Sequence, residues 1–197
     1  MQIECPSRIH VTLIDTTGHS SRVPGGVGFA MSNPFTRLDF HESQESSAHF
    51  LRVLDHRASE DVNALLLRLP KPLVRKPYRI ECTSSPPAHH GFGSKTALLS
   101  AVAFGHRHWH DLETSDDELQ LLTQRGGTSG VGYYTFRHGG LVWDAGRRNS
   151  DDDVGPSSKA KPTSPPLLMS QWAIPTYGVM LVVPNAPLLR VLSDWGR

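Results

Sequence analysis

The 197 residues carry a formal net charge of +1 and a pI near 7.9, which removes any general electrostatic argument for binding nucleic acid or an anionic membrane. With 38% hydrophobic and 20% charged residues, the chain can build a real core but is loop-rich, and its length suits one large domain or one domain and part of a second. No apolar run approaches the ~20 residues of a membrane span, and the N-terminus lacks the regions of a signal peptide, so the expectation is a cytoplasmic protein.

In chain order, Ile3 to Leu13 alternates as a strand, with polar Ser7, Arg8 and His10 set inside it. Arg8 in a strand interior costs desolvation unless it finds a partner. That partner is either Asp15, in a structural salt bridge, or a ligand phosphate or carboxylate, which the planar guanidinium matches bidentately. Thr17-Gly18-His19-Ser20 reads as a turn, and Pro24 to Met31 as a glycine-rich strand that lets a ligand or another backbone approach. Pro34 closes this run, and Phe35 to His41 forms a separate strand. Ser59-Glu60-Asp61 starts a helix with acids in its first turn, carrying Val62, Leu65, Leu66 and Leu69 on one face. Tyr78 to Thr83 is a strand. Cys5 and Cys82, in the two strands nearest the chemistry, read as buried apolar residues rather than a disulfide.

The strongest chemical signal follows. His89-His90-Gly91-Phe92-Gly93-Ser94-Lys95-Thr96 leads into the small-residue helix Ala97 to Phe104. Two glycines permit positive φ, and the first N–H groups of the helix beyond them lack intrahelical acceptors. Those donors, the Ser94 and Thr96 hydroxyls and the Lys95 charge would cradle a phosphate or diphosphate. The loop is not a Walker A motif, because Ser94 stands where glycine must precede Lys, and Thr96 replaces the third glycine of a dinucleotide fingerprint. His106, His108 and His110 do not share a helix face, and read as a solvated helix end rather than a zinc site.

Ser115 caps a short helix to Thr123. Arg125-Gly126-Gly127-Thr128-Ser129-Gly130 forms a second polar glycine loop able to wrap an anion, and Tyr133–Arg137 and Leu141–Asp144 read as a hairpin turning at His138-Gly139-Gly140. Residues 147–166 read as a disordered loop, whose Asp151-Asp152-Asp153 run is solvated rather than a magnesium site. Tyr177 to Pro184 is expected to be a buried strand and Leu188 to Trp195 a helical tail.

Taken together, Ser7-Arg8-Ile9-His10, Gly25-Gly26-Val27-Gly28, His90 to Thr96, Arg125 to Gly132, Gly139-Gly140 and Asp144-Ala145-Gly146 resemble, in this order, the β-ribofuranosylaminobenzene 5'-phosphate synthases. This offshoot of the GHMP kinase superfamily includes synthases of C-nucleoside antibiotics of the formycin and pyrazofurin type. The resemblance covers about residues 3–183 and implies an α+β fold, a mixed sheet with helices packed on one face. It divides the chain into a GHMP-like anion-binding domain over 1–146, the loop over 147–166, and a closing strand and tail over 167–197, with the C-terminal domain short or missing.

The resemblance also implies a reaction: an aromatic carboxylic acid joins C1 of phosphoribosyl pyrophosphate, releasing carbon dioxide and pyrophosphate. His90, Gly91, Phe92, Gly93, Ser94, Lys95 and Thr96 would hold the diphosphate with Mg2+, to which Ser94 and Thr96 contribute through the bound ligand. Arg8, His10, Asp15 and Arg125 are the catalytic candidates. Ser7, Gly26, Gly127, Thr128, Ser129 and Gly130 would bind the sugar phosphate or the acceptor. A homodimer is expected. Two alternatives stay open: an ATP-dependent small-molecule kinase, although Gly132 stands where such kinases carry an aspartate, and an inactive ligand-binding or scaffolding protein.

Overall fold

The structure, a computed structural model, describes residues 1–14, 21–23, 25–44, 49–51, 56–74, 76–127, 129–148, 164–175 and 178–182. Its elements are β1 (Gln2–Ile14), β2 (Arg22–Val23), β3 (Gly25–Glu42), β4 (His49–Leu51), α1 (His56–Leu66), β5 (Tyr78–Ser84), α2 (Ser94–Trp109), α3 (Asp116–Thr123), α4 (Val131–His138), β6 (Leu141–Asp144), β7 (Arg147–Arg148) and β8 (Leu168–Trp172).

β3 is the spine of the sheet. β1 runs antiparallel along nearly its whole length, while β5 and β6 pair with its two ends, Arg37–Glu42 and Gly26–Phe29. β4 joins β5 in parallel and β8 joins β6 antiparallel, so the sheet is mixed, as expected. Period-2 alternation turns Leu38, Phe40, Tyr78, Ile80 and Cys82 to one face, where they form the main core with Ala97, Leu98, Ala101 and Val102 of α2. Cys5 and Cys82 are both free and buried. On the sheet's other side Val11, Trp143 and Trp172 are exposed.

Several expectations are corrected. The glycine-rich strand does not stop at Pro34: β3 continues to Glu42, passing through a cis Asn33–Pro34 bond. Ser32, Asn33 and Pro34 have no partner on β1, because the register jumps between Pro6/Phe35 and Ser7/Met31. The irregularity absorbs the proline, which has no N–H to give a ladder. α1 starts at His56, so Asp61 lies inside the helix rather than in its first turn. Tyr133–Arg137 is not a hairpin strand but part of α4, which buries Val131, Tyr134 and Thr135 at helical spacing. Residues 178–182 contain no strand, and Val179, Met180 and Val182 are exposed. β4, β8 and the small β2–β7 ribbon went unread.

The histidine-rich end of α2 is also more structured than expected. His106 is buried: Nδ1 meets Tyr78 Oη at 2.7 Å and Nε2 meets the Pro70 carbonyl at 2.9 Å. A carbonyl only accepts, so Nε2 carries the proton and Nδ1 accepts from the tyrosine. The Ser115 cap is present as a full capping box with Glu118. Asp15, Thr128, Asp151 to Asp153 and the 188–195 tail lie outside the described residues.

Candidate anion and acceptor site

The glycine loop docks on the edge of β1 that β3 leaves free. Arg8 N–H donates to the Phe92 carbonyl at 3.1 Å, and Arg8 Nη1 donates to the Gly91 carbonyl at 2.9 Å. Phe92 anchors the loop by burying its ring. His89, Gly91 and Gly93 all have positive φ, and Gly93, with φ of 71°, is the residue from which α2 starts. Ala97 N–H makes the first intrahelical bond, to the Gly93 carbonyl, so the N–H groups of Ser94, Lys95 and Thr96 have no acceptor within the helix.

Around this helix start the structure gathers three cationic side chains. The Arg8 guanidinium lies under Gly93, where a Cβ would come within 3.0 Å of Arg8 Cγ. Arg125 Nε donates to Thr96 Oγ1 at 3.0 Å. Burial lowers the pKa of both arginines, and the nearby charge of Arg125 lowers that of Arg8 further. Lys95 Nζ pairs with Asp61 Oδ2 at 2.7 Å, and Asp61 also supports the charge on Arg125. Two partly desolvated guanidiniums close to one another beside a helix N-terminus make an electropositive site.

The second glycine loop closes the other side. Ser129 Oγ–H donates to Asp144 Oδ2 at 2.9 Å and accepts from Val131 N–H at 3.2 Å, while Gly146 N–H donates to Asp144 Oδ1 at 2.9 Å. Asp144 is fully buried; burial raises its pKa, and its hydrogen bonds to Gly130, Gly146, Ser129 and Val131 oppose that rise. The Gly127 carbonyl accepts from Arg147 Nε at 2.6 Å, and Gly130 opens α4. Gly132, one residue into α4, faces the first loop: a Cβ there would lie 3.2 Å from Thr96 Cγ2 and 3.4 Å from Arg8 Nε.

Arg8, His10, Arg125, Thr96, Gly26 and Ser129 thus lie close together. His10 Nε2 and Ser129 Oγ both approach the position a Cβ of Gly26 would take, at 2.5 and 3.0 Å. Ser7 is fully buried with its hydroxyl unpartnered among the described residues, and His90 Nδ1 sits 2.8 Å from the Ala88 carbonyl. Sequence reasoning missed Asp61, taken for a helix-start acid, and Asp144, taken for a hairpin residue. The Asp144-Ala145-Gly146 run was the signal available for the second. Among the described residues no three His, Cys, Asp or Glu side chains gather as a metal site. The Ser94 hydroxyl and the Asp61 carboxylate, which pairs with Lys95 of the loop, are oxygen donors of the type a hard cation takes.

No family model matches the chain. It is similar to curated proteins named β-ribofuranosylphenol 5'-phosphate synthase: 30% identical over 189 residues to that of Archaeoglobus fulgidus, covering 94% of this chain and 58% of the relative. It is 32% identical over 177 residues to that of Methanocaldococcus jannaschii, covering 84% and 54%. The chain therefore spans just over half the length of the curated relatives it matches. In fold it is similar to Methanococcus jannaschii mevalonate kinase, with TM-score 0.55 and 16% identity over 77% of this chain and 56% of that one. Streptococcus pneumoniae phosphomevalonate kinase gives 0.53 and 11% over 74% and 50%. The chain is homologous to the ribofuranosyl synthases and has the fold of a GHMP kinase domain, bearing out the resemblance read from its motifs. Among the described residues no helix is long and apolar enough to cross a membrane.

Proposed function

We propose that this chain carries the donor site of a synthase coupling an aromatic carboxylic acid to C1 of phosphoribosyl pyrophosphate, with loss of carbon dioxide and pyrophosphate. The observation that carries the reading is the convergence of Arg8 and Arg125 on the N-terminus of α2, two half-buried cations that reach the Gly91 carbonyl and the Thr96 hydroxyl there. Two guanidiniums beside a helix N-terminus favour an anionic ligand, and a diphosphate supplies the charge and the matching oxygens.

Departure of pyrophosphate leaves an oxocarbenium-like sugar, so holding the leaving group is the main task. Arg8, Arg125, Lys95 and the free N–H groups of residues 94–96 perform it. Mg2+, bound with the diphosphate at Ser94, Thr96 and Asp61, would neutralise further leaving-group charge. The second loop, braced by Ser129 and Asp144, positions the sugar phosphate or the acid beside C1, where orientation does most of the work. The relatives' name, a ribofuranosylphenol phosphate synthase, supports an aromatic acceptor. Gly132, where kinases of this fold carry an aspartate, favours the synthase over an ATP-dependent kinase.

The test is incubation with phosphoribosyl pyrophosphate, Mg2+ and a panel of aromatic carboxylic acids. Mass spectrometry should find a ribosyl 5-phosphate adduct that has lost carbon dioxide. Transfer of the ATP γ-phosphate to a small alcohol, with no adduct, would reverse the assignment.

A further inference from the structure

The second glycine loop is folded around an anion that belongs to the protein. β6 alternates, so Val142 and Asp144 both turn to the side on which α4 packs, and the Asp144 side chain is fully buried at the start of that helix. There Ser129 Oγ–H donates to Oδ2 and Gly146 N–H donates to Oδ1, both at 2.9 Å. The N–H groups of Gly130 and Val131 also bond the carboxylate, and Val131 N–H is shared with Ser129 Oγ at 3.2 Å. A carboxylate only accepts, so all four are donations to Asp144. Backbone N–H groups gathered in this way form a cradle for a phosphate or carboxylate ligand. Here the cradle is filled from within.

We propose that Asp144 is the positioning residue of this loop: it takes the place of a ligand anion and fixes Ser129 as a hydrogen-bond acceptor toward the sugar of the donor. The sugar as ligand rests on the reaction proposed above; the filled cradle does not. The donors of residues 129–131 are spent on the protein, and a buried carboxylate repels a second anion brought beside it. The loop therefore holds neither the 5-phosphate nor the carboxylate of the aromatic acid. Ser129 has committed its hydrogen to Asp144 and one lone pair to Val131, which leaves it one lone pair. That lone pair can only accept, and the hydroxyls of a ribose are neutral donors that suit it. The charged groups of the donor are left to Arg8, Arg125 and the start of α2. Ser129 Oγ keeps its place because residue 26, opposite Asp144 on β3, is glycine: a Cβ there would come within 3.0 Å of it.

The probes are ribose 5-phosphate, pyrophosphate with Mg2+, and formate, which matches the carboxylate that a truncation removes. Asp144→Ala should melt below the wild type, and formate should raise its melting temperature saturably, beyond the effect of chloride at equal ionic strength. The wild type should show no such difference. By calorimetry Asp144→Ala should bind ribose 5-phosphate about tenfold or more weakly, with formate restoring most of the loss, while pyrophosphate affinity stays within about twofold. A merely structural role would weaken both ligands together. Asp144→Asn keeps the shape but sets an amide among the donors, so it should show the same split between ligands without rescue by formate. On a Ser129→Ala background Asp144→Asn should cost little further ribose 5-phosphate affinity, because the carboxylate acts through that hydroxyl. Equal loss of both ligands overturns the assignment, as does ribose 5-phosphate binding that is as tight or tighter in Asp144→Asn. If the wild type binds no ribose 5-phosphate, the ribosyl donor falls and formate decides Asp144 separately: stabilisation confined to Asp144→Ala supports the filled cradle, and an equal effect on both proteins overturns it.

Discussion

The Arg8 side chain lies directly beneath Gly93: a Cβ on that glycine would meet Arg8 Cγ at 3.0 Å and Nε at 3.1 Å. One residue thus sets the start of α2 and the placement of the cation that serves it. Neither works without the other, since Arg8 also holds the loop through the Gly91 and Phe92 carbonyls.

Gly93→Val should therefore damage binding through two routes. A β-branched residue at φ of 71° is strained by roughly 1–3 kcal/mol, and its side chain displaces the guanidinium. Calorimetric titration with pyrophosphate and Mg2+ should show at least a tenfold loss of affinity in a variant whose circular dichroism is native. Undiminished affinity would remove this loop from the site.

Gly132→Asp makes the opposite kind of change. The new carboxylate would stand against Arg8 Nε, which has no protein partner among the described residues, and in the first turn of α4, where a negative charge is favoured. The variant should melt at a higher temperature and bind pyrophosphate about tenfold or more weakly, because the site now carries its own anion. It should not phosphorylate small alcohols from ATP. Kinase activity in this variant would show that one carboxylate separates the two chemistries.

Legibility of the chain followed how local the determining physics was. The capping box at Ser115 and the glycine loop before α2 are written in adjacent residues, and both were readable. Val131 to His138 was misread because Tyr133, Tyr134, Thr135 and Phe136 favour strands; burial of Val131, Tyr133 and Tyr134 with Val142 and Leu168 overrides that preference. Pro34 looked like a strand end because nothing local announces the register jump opposite Pro6 and Ser7. Asp61 and Asp144 are site residues through contacts 34 and 15 positions away, with Lys95 and Ser129, which no local pattern encodes.

Acid should weaken the fold through His106. Burial lowers its pKa below the ordinary 6.5, so under acid conditions the folded protein binds fewer protons than the unfolded chain. Its contribution is fully present above pH 6.5 and is lost as pH falls from there through the lowered value. His110, pushed down to about 4, acts in the same direction, though its greater exposure makes its share small. Urea midpoints should fall between about pH 7.5 and 5, and His106→Gln, which keeps a donor and an acceptor, should flatten the slope. Asp144 titrates in both proteins and cancels in the comparison. An unchanged slope in the variant would mean the histidine is not the group responsible.

The last expectation concerns Asp61, the acid facing an otherwise cationic cleft. Its bond to Lys95 is short, 2.7 Å, but the lysine is half exposed, and pairs of this type contribute only about 0–1 kcal/mol to stability. Asp61→Asn should therefore leave the melting temperature nearly unchanged. Its electrostatic effect on ligands is larger, because the same carboxylate supports the charge of Arg125 and would repel an incoming diphosphate. Without Mg2+, pyrophosphate should bind several-fold more tightly to Asp61→Asn than to the wild type. The gain should shrink as salt is raised, since the partly exposed lysine is screened. With Mg2+ present the order should reverse, because the variant has lost a carboxylate that suits a hard cation beside Ser94. Calorimetric titrations with and without Mg2+, at two ionic strengths, separate these outcomes. Equal pyrophosphate affinity for variant and wild type in all four conditions would place Asp61 outside the electrostatics of the site.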